Sequence, residues 1–193
     1  MARYALHRGG VSVPLLKDHY TSEDYWNLPE NERAELIDGK LYSMAPSSLT
    51  HQTLSIEIAS TFRNYIKSKV GSCRTLTAPF AGNLDAEDKN WVEPDVMIVC
   101  DKKKLTERSC IGAPDLVVEI VSPASRKKDY IKKNALYLEA GVKEYWIVDP
   151  MRKSTLVYRY EGDAAPVFYP FDQSIPVGIY PDLDITVDEL LNN

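Results

Sequence analysis

The sequence predicts an α/β fold, a central mixed β-sheet flanked by α-helices. Three observations predict it. Apolar runs of strand length are interspersed with two stretches of helical period. An Asp-Gly pair between two short apolar stretches near the N-terminus reads as a β-hairpin. The resulting order of hairpin, helix, strands, helix, strands builds a sheet covered by helices. At 193 residues the chain suits one domain over 20–193, preceded by an arm over 1–19.

The arm shows no clear period and contains Gly9-Gly10 and Pro14. In "TSEDYWNLPE", Thr21 or Ser22 caps a short helix near 22–28 that Pro29 ends. "AELIDGKLYSM" is the hairpin, because both central residues of a type I′ turn need positive φ and Asp38-Gly39 supplies them. Leu54, Ile58, Phe62 and Ile66 recur every four residues and give one apolar face to a helix over 50–69, ended by Gly71. "CRTLTAPF" and "VEPDVMIVC" read as strands joined by a polar loop, and the charged stretch 101–112 reads as loop. A strand over 115–121 is closed by Ser122-Pro123, and a helix over 125–140 is ended by Gly141. "KEYWIVD" and "STLVYRY" are paired strands, and the tail alternates short strands with turns as far as "ITVDELL", a helical turn.

The totals exclude several functions. No apolar run reaches the roughly 20 residues of a membrane span, and "MARYALHRGG" has no apolar signal core. Cys73, Cys100 and Cys110 lack CxxC spacing, so neither a disulfide framework nor a zinc site is expected. A reducing cytoplasm is the expected compartment. A net charge of −5 argues against coating nucleic acid through a global positive field and leaves room for a local basic groove.

Four acids lie within or beside apolar strands: Glu35, Asp95, Asp115 and Glu119. A buried charge is costly unless it is paired or holds a metal. A single such acid is ordinarily a strand end, solvated or paired with a lysine, but several in neighbouring strands strain that explanation. Asp115 and Glu119 share a strand face four residues apart, about 13 Å at roughly 3.3 Å per residue. That is too far for oxygens held about 2.1 Å from one ion. Asp95, in the preceding strand, comes within roughly 5 Å of Glu119 if the strands pair. Asp95 with Glu119 is therefore the expected pair for a shared hard cation.

The blocks "EPDVMIVCD", "PDLVVEIVSP" and "KNALYLEAGVKEYWIVDP" together resemble the Uma2 family (DUF820) of the PD-(D/E)XK nuclease superfamily, a family abundant in cyanobacteria. "AELIDGKLYSM" resembles the family's N-terminal block, and the likeness covers about residues 20–190. The resemblance implies a restriction-endonuclease-like fold and a DNA endonuclease using Mg²⁺ or Mn²⁺. It implies a homodimer, the usual state of enzymes that cut both strands. It makes Asp95 the PD aspartate and Glu119 the second acid. The lysine expected two residues later is absent: Val121 stands there, on Glu119's own face.

Counting back from "EAGVKEYW", the resemblance places the replacement lysine in the following helix at Lys133, with Lys132 one step of register away. Read from residue types alone, Lys133 is also a surface partner for Asp129 four residues earlier, a pairing worth about 0.2–0.5 kcal/mol. Glu35 matches the family's early acid and is implied as a third metal ligand. His51, opening the first long helix, has two open readings: a local cap, or a group that binds phosphate or tunes the attacking water. Lys128 and Lys132, in a basic cluster with Arg126 and Lys127, are expected to contact substrate phosphates, the alternative being a solvated surface. Tyr130 and Tyr137 fall near Lys133's side of the helix and read as core or groove wall. Two other functions fit these residues. One is a degenerate nuclease fold that binds nucleic acid or a protein without cutting, which Val121 favours. The other is a hydrolase of a small phosphodiester, which the acidic net charge favours.

Overall fold

A computed structural model describes residues 4–6, 12–14, 17–85, 88–162 and 164–192. β1 (Tyr4–Leu6) and β2 (Ser12–Pro14) pair antiparallel, so part of the predicted arm is a two-stranded ribbon. The rest of the arm up to residue 16 lies outside the described residues. Helix α1 (Ser22–Trp26) is little more than one turn, in which Asp24 accepts the Thr21 N–H at 3.0 Å. β3 (Ala34–Ile37) and β4 (Lys40–Ser43) form the expected hairpin, with Asp38 and Gly39 at φ of 49° and 69°. A Cβ on Gly39 would stand 2.0 Å from the His19 ring, a second reason for glycine there. Helix α2 (Leu49–Ser68) is capped by Ser48, whose hydroxyl accepts the His51 N–H at 3.2 Å. Beyond it come β5 (Arg74–Thr77), β6 (Ala81–Asn83), β7 (Trp91–Val92), β8 (Val96–Val99), β9 (Ser109–Ile111) and β10 (Leu116–Ile120). A π-helical segment, Lys128–Lys133, runs directly into helix α3 (Asn134–Ala140). The chain continues through β11 (Glu144–Asp149), β12 (Ser154–Arg159), β13 (Val167–Pro170), β14 (Ser174–Pro176), β15 (Asp184–Thr186) and helix α4 (Val187–Leu191).

The main sheet has the order β13-β12-β11-β10-β8-β5, antiparallel except between β10 and β11. A second sheet has the order β4-β3-β7-β6-β9. Pro94 explains the division. It has no N–H to give to a ladder, so the run read as one strand, "VEPDVMIVC", splits into two. β7 pairs with β3 and β6, while β8 pairs with β5 and β10. That turn brings the hairpin sheet against the main one and starts β8 immediately after Asp95. The stretch 101–112, read as loop, contributes β9, which lies parallel to β6 and buries Cys110.

β10 and β11 are buried on both faces, as parallel neighbours are. Leu116, Val118, Ile120, Trp146 and Val148 meet Leu54, Ile58, Phe62 and Ile66 of α2 in one core. Val117, Val121, Tyr145 and Ile147 face the opposite way, toward Leu136 and Tyr137 of α3. Strand alternation puts Glu119 on this second side. No helix among the described residues is long and apolar enough to cross a membrane.

Cys73 and Cys100 extend the Arg74↔Val99 pairing by one step and form a disulfide. The expectation of no disulfide framework is corrected to this extent, that one pair of cysteines is joined. They are cross-strand neighbours 27 residues apart, and only the strand register brings them together. Closing a loop of that length is worth about 3–4 kcal/mol. Cys73→Ser is expected to lower the urea midpoint of oxidised protein and to match wild type once both are reduced. Equal midpoints under oxidising conditions would contradict the bond.

Candidate active site

β8 and β10 run antiparallel with Val96 opposite Val118, so the register continued by one step sets Asp95 opposite Glu119. Asp95 Oδ2 accepts the Ile120 N–H at 2.7 Å and lies 3.2 Å from His51 Nε2. Ser55, one turn along α2, donates to the Asp95 carbonyl at 3.2 Å. The N-terminal turns of α2 thus hold both the side chain and the backbone of this aspartate. Glu119 is buried, and its Oε1 accepts from Lys133 Nζ at 2.7 Å and from the Tyr137 hydroxyl at 2.6 Å. Lys133 Nζ is also 2.6 Å from Oε1 of Glu35, which reaches the cluster from β3 of the second sheet. Lys128 Nζ donates to Glu35 Oε2 at 2.6 Å, and the Glu93 N–H donates to Glu35 Oε1 at 3.1 Å.

The cluster holds more negative than positive charge. Glu35, Asp95, Glu119 and Asp129 face the two ammonium groups of Lys128 and Lys133. Burial pushes the Glu119 carboxyl up to about 8; Lys133 opposes this, and Asp95, Asp129 and Glu35 add to it. Burial also raises Asp129, against the pull of Lys133 and a hydrogen bond from Ser125. Burial would raise Glu35 too, but Lys133 and Lys128 together hold it below its ordinary value. Burial disfavours the Lys133 cation, yet Glu119, Glu35 and Asp129 outweigh it and hold its pKa well above the ordinary lysine value. Burial likewise opposes the charged form of His51, and the bond to Asp95 reverses that, so its pKa rises. The lysine therefore stays cationic, and Glu119 is the acid on which burial and the neighbouring carboxylates act together.

A carboxyl with a raised folded pKa holds its proton more tightly folded than unfolded. Its contribution to stability is full below its ordinary value of 4.5 and is lost as pH rises through about 8. Glu119→Gln should accordingly gain melting temperature relative to wild type between about pH 5 and about pH 9 in metal-free buffer. A difference that stays flat across that range would contradict the assignment.

The structure brings Asp95, Glu119, Glu35, Lys133, Lys128 and His51 together and leaves other candidates outside. Lys132 is exposed and sits over the Tyr42 ring, 4.9 Å from its centroid, so Lys133 is the lysine of this cluster. The exposed pairing read for Asp129 and Lys133 is corrected, since both side chains are buried. Lys128, expected on a phosphate-contacting surface, turns inward to Glu35. Ser48 supplies the helix cap, which leaves the His51 imidazole to Asp95. Asp115 is the ordinary strand-end acid, paired with Lys143 at 3.0 Å and accepting the Cys100 N–H at 2.8 Å. Tyr130 points away, its hydroxyl donating to Asp149 at 3.1 Å. Two participants escaped the sequence reading: the buried Asp129, and Tyr137 as a donor to Glu119 rather than a wall. Asp129, Lys133 and Tyr137 recur every four residues, and that spacing was the available signal.

A family model described as "Putative restriction endonuclease" matches residues 22–188. The chain belongs to the Uma2 family. It is 30% identical to the uncharacterized protein slr1290 of Synechocystis sp., a match covering 65% of this chain and 65% of that relative's length. It is 23% identical to the uncharacterized protein sll1609 of the same organism, over 74% of this chain and 82% of that one. A crystal structure described as a "putative nuclease belonging to DUF820" from Anabaena variabilis matches this Uma2 chain with a TM-score of 0.73 at 21% identity. That match covers 88% of this chain and 96% of the other, so the two share their mixed α/β fold.

Uma2 membership raises the question of a divalent metal, and the donor set answers it. Among the described residues no three His, Cys, Asp or Glu side chains form a ready-made cage. Mg²⁺ needs less, since it commonly takes one or two carboxylates and keeps several waters. The hydrogen bonds on Asp95 all fall on Oδ2 and those on Glu119 all fall on Oε1. That leaves Asp95 Oδ1 and Glu119 Oε2, with the carbonyl beside Glu119, as hard oxygen donors. A divalent cation would also offset the excess negative charge. The residues fit such an ion.

Proposed function

We propose that this protein is a metal-dependent DNA endonuclease that hydrolyses phosphodiester bonds. The observation that carries the reading is the Lys133 ammonium 2.7 Å from Glu119, with Asp95 opposite Glu119 in register. Two acids and a lysine are the functional groups of a PD-(D/E)XK site. Here the lysine comes from the helix, while Val121 is buried in the core at the strand position where it is usually found. The family description and the neighbour's description as a nuclease support the same reading.

Bound Mg²⁺ or Mn²⁺ would lower the pKa of a water and stabilise charge on the phosphate. Asp95 and Glu119 would hold it, one oxygen each. The Ile120 N–H and His51 fix the other Asp95 oxygen, so the free one needs no reorganisation. Lys133 stays cationic and orients the attacking water or neutralises charge on the phosphate. Exposed Lys132, over Tyr42, would meet the strand backbone. We extend the proposal to a homodimer that cuts both strands, and to a cytoplasmic location where DNA is reached without export.

A second reading, hydrolysis of a small phosphodiester, draws on the net charge of −5. The test is a substrate panel with Mg²⁺, Mn²⁺ or chelator: supercoiled plasmid, linear duplex, single strands, RNA and bis(p-nitrophenyl) phosphate. The proposal expects metal-dependent cleavage of DNA. Turnover of the small diester with intact DNA would move the function to the second reading. Sedimentation of the protein alone and with duplex tests the dimer.

A further inference from the structure

Glu35 differs from the other two acids in how its oxygens are used. Oε1 lies 2.6 Å from Lys133 Nζ and accepts the Glu93 N–H at 3.1 Å, and Oε2 accepts from Lys128 Nζ at 2.6 Å. The side chain is 0% exposed. Asp95 and Glu119 each keep one oxygen without a hydrogen bond among the described residues, whereas Glu35 keeps none. The Lys133 ammonium also lies within 2.7 Å of both glutamates, so Glu35 meets Glu119 through that shared cation.

The helix is wound to make this grip. Lys128 and Lys133 are five residues apart, which on an α-helix sets them about 140° apart around the axis. The segment Lys128–Lys133 is π-helical, and i→i+5 winding brings residues five apart over one another. Both lysines thereby reach one carboxylate. π-Turns inside helices are frequent at functional sites, and here the turn has a definable task.

We infer that Glu35 is a positioning residue that clamps Lys133 against Glu119, with Lys128 as the clamp's second anchor, and is not a third metal ligand. The clamp itself stands on geometry alone; its service to Lys133 in catalysis rests on the nuclease reading.

The test pairs two measurements on the full chain. Brief acetylation with acetic anhydride, mapped by mass spectrometry, reads how firmly Lys133 is held. Calorimetric titration with Mn²⁺ reads the ligands. Glu35→Gln should raise the acetylation rate of Lys133 at least about tenfold and leave Mn²⁺ affinity within about threefold of wild type. Glu119→Gln should weaken Mn²⁺ binding at least about tenfold. Lys128→Met, which spares both glutamates, should also raise Lys133 acetylation and leave Mn²⁺ affinity unchanged, and it decides the case if Glu35→Gln fails to fold. Loss of Mn²⁺ affinity in Glu35→Gln equal to that in Glu119→Gln overturns the inference. So does Lys133 acetylation at the wild-type rate in both Glu35→Gln and Lys128→Met. If wild type binds no Mn²⁺ the metal-dependent reading fails, while the acetylation arm still decides the clamp.

Discussion

Glu119→Ala is expected to lower metal-dependent plasmid cleavage at least about 1000-fold, several kcal/mol of transition-state stabilisation at about 1.4 kcal/mol per tenfold. The loss has two sources. Asp95 alone is left to hold the ion, and Lys133 loses the partner that sets it at 2.7 Å. The Gln variant separates activity from folding. It keeps the shape of the side chain and an oxygen for Tyr137, yet removes the ionised carboxylate. At alkaline pH it is expected to be both inactive and more heat-stable than wild type, because the buried charge that burial pushes up to about 8 is gone. Residual activity within about tenfold of wild type would remove Glu119 from the reacting centre.

Lys133→Ala carries the second large effect, on stability as well as activity. Removing one partner of a buried ion cluster costs about 3–5 kcal/mol, because the buried carboxylates lose a shared cation and only Glu35 keeps another, Lys128. Glu35 and Glu119 both lose their bond to the ammonium. The urea midpoint should fall sharply and cleavage should vanish. Lys132→Ala, one position away and exposed, should stay within about 0.5 kcal/mol of wild type. A reversed order, with Lys132 the costly one, would contradict the placement of this helix.

Much of this arrangement was legible from residue order. The apolar spacing of Leu54, Ile58, Phe62 and Ile66 marks α2, and Asp38-Gly39 marks the hairpin, because both are local patterns with one physical solution. Asp95 beside Glu119 follows from strand spacing once the two strands are taken to pair, as the family resemblance also implies. What stayed hidden depends on register or on winding. Pro94 looks like an incident within one strand, yet its missing N–H divides two sheets and delivers Glu35 to the site. The Cys73–Cys100 bond depends on the β5–β8 register. The inward turn of Lys128 depends on the π-helical segment, since on α-helical spacing it lies away from Lys133. Tyr130 was placed on the wrong side for the same reason. Asp129 reads as a surface partner because a short-range charge pair is indistinguishable, in sequence, from a buried one.

The most direct measurement is relaxation of supercoiled plasmid by wild type and Glu119→Gln side by side, each with Mg²⁺ and with EDTA. The account predicts nicking or linearisation by wild type with Mg²⁺ only, and intact plasmid in the other three reactions. Cleavage by Glu119→Gln at the wild-type rate, or wild-type cleavage undiminished in EDTA, would contradict it.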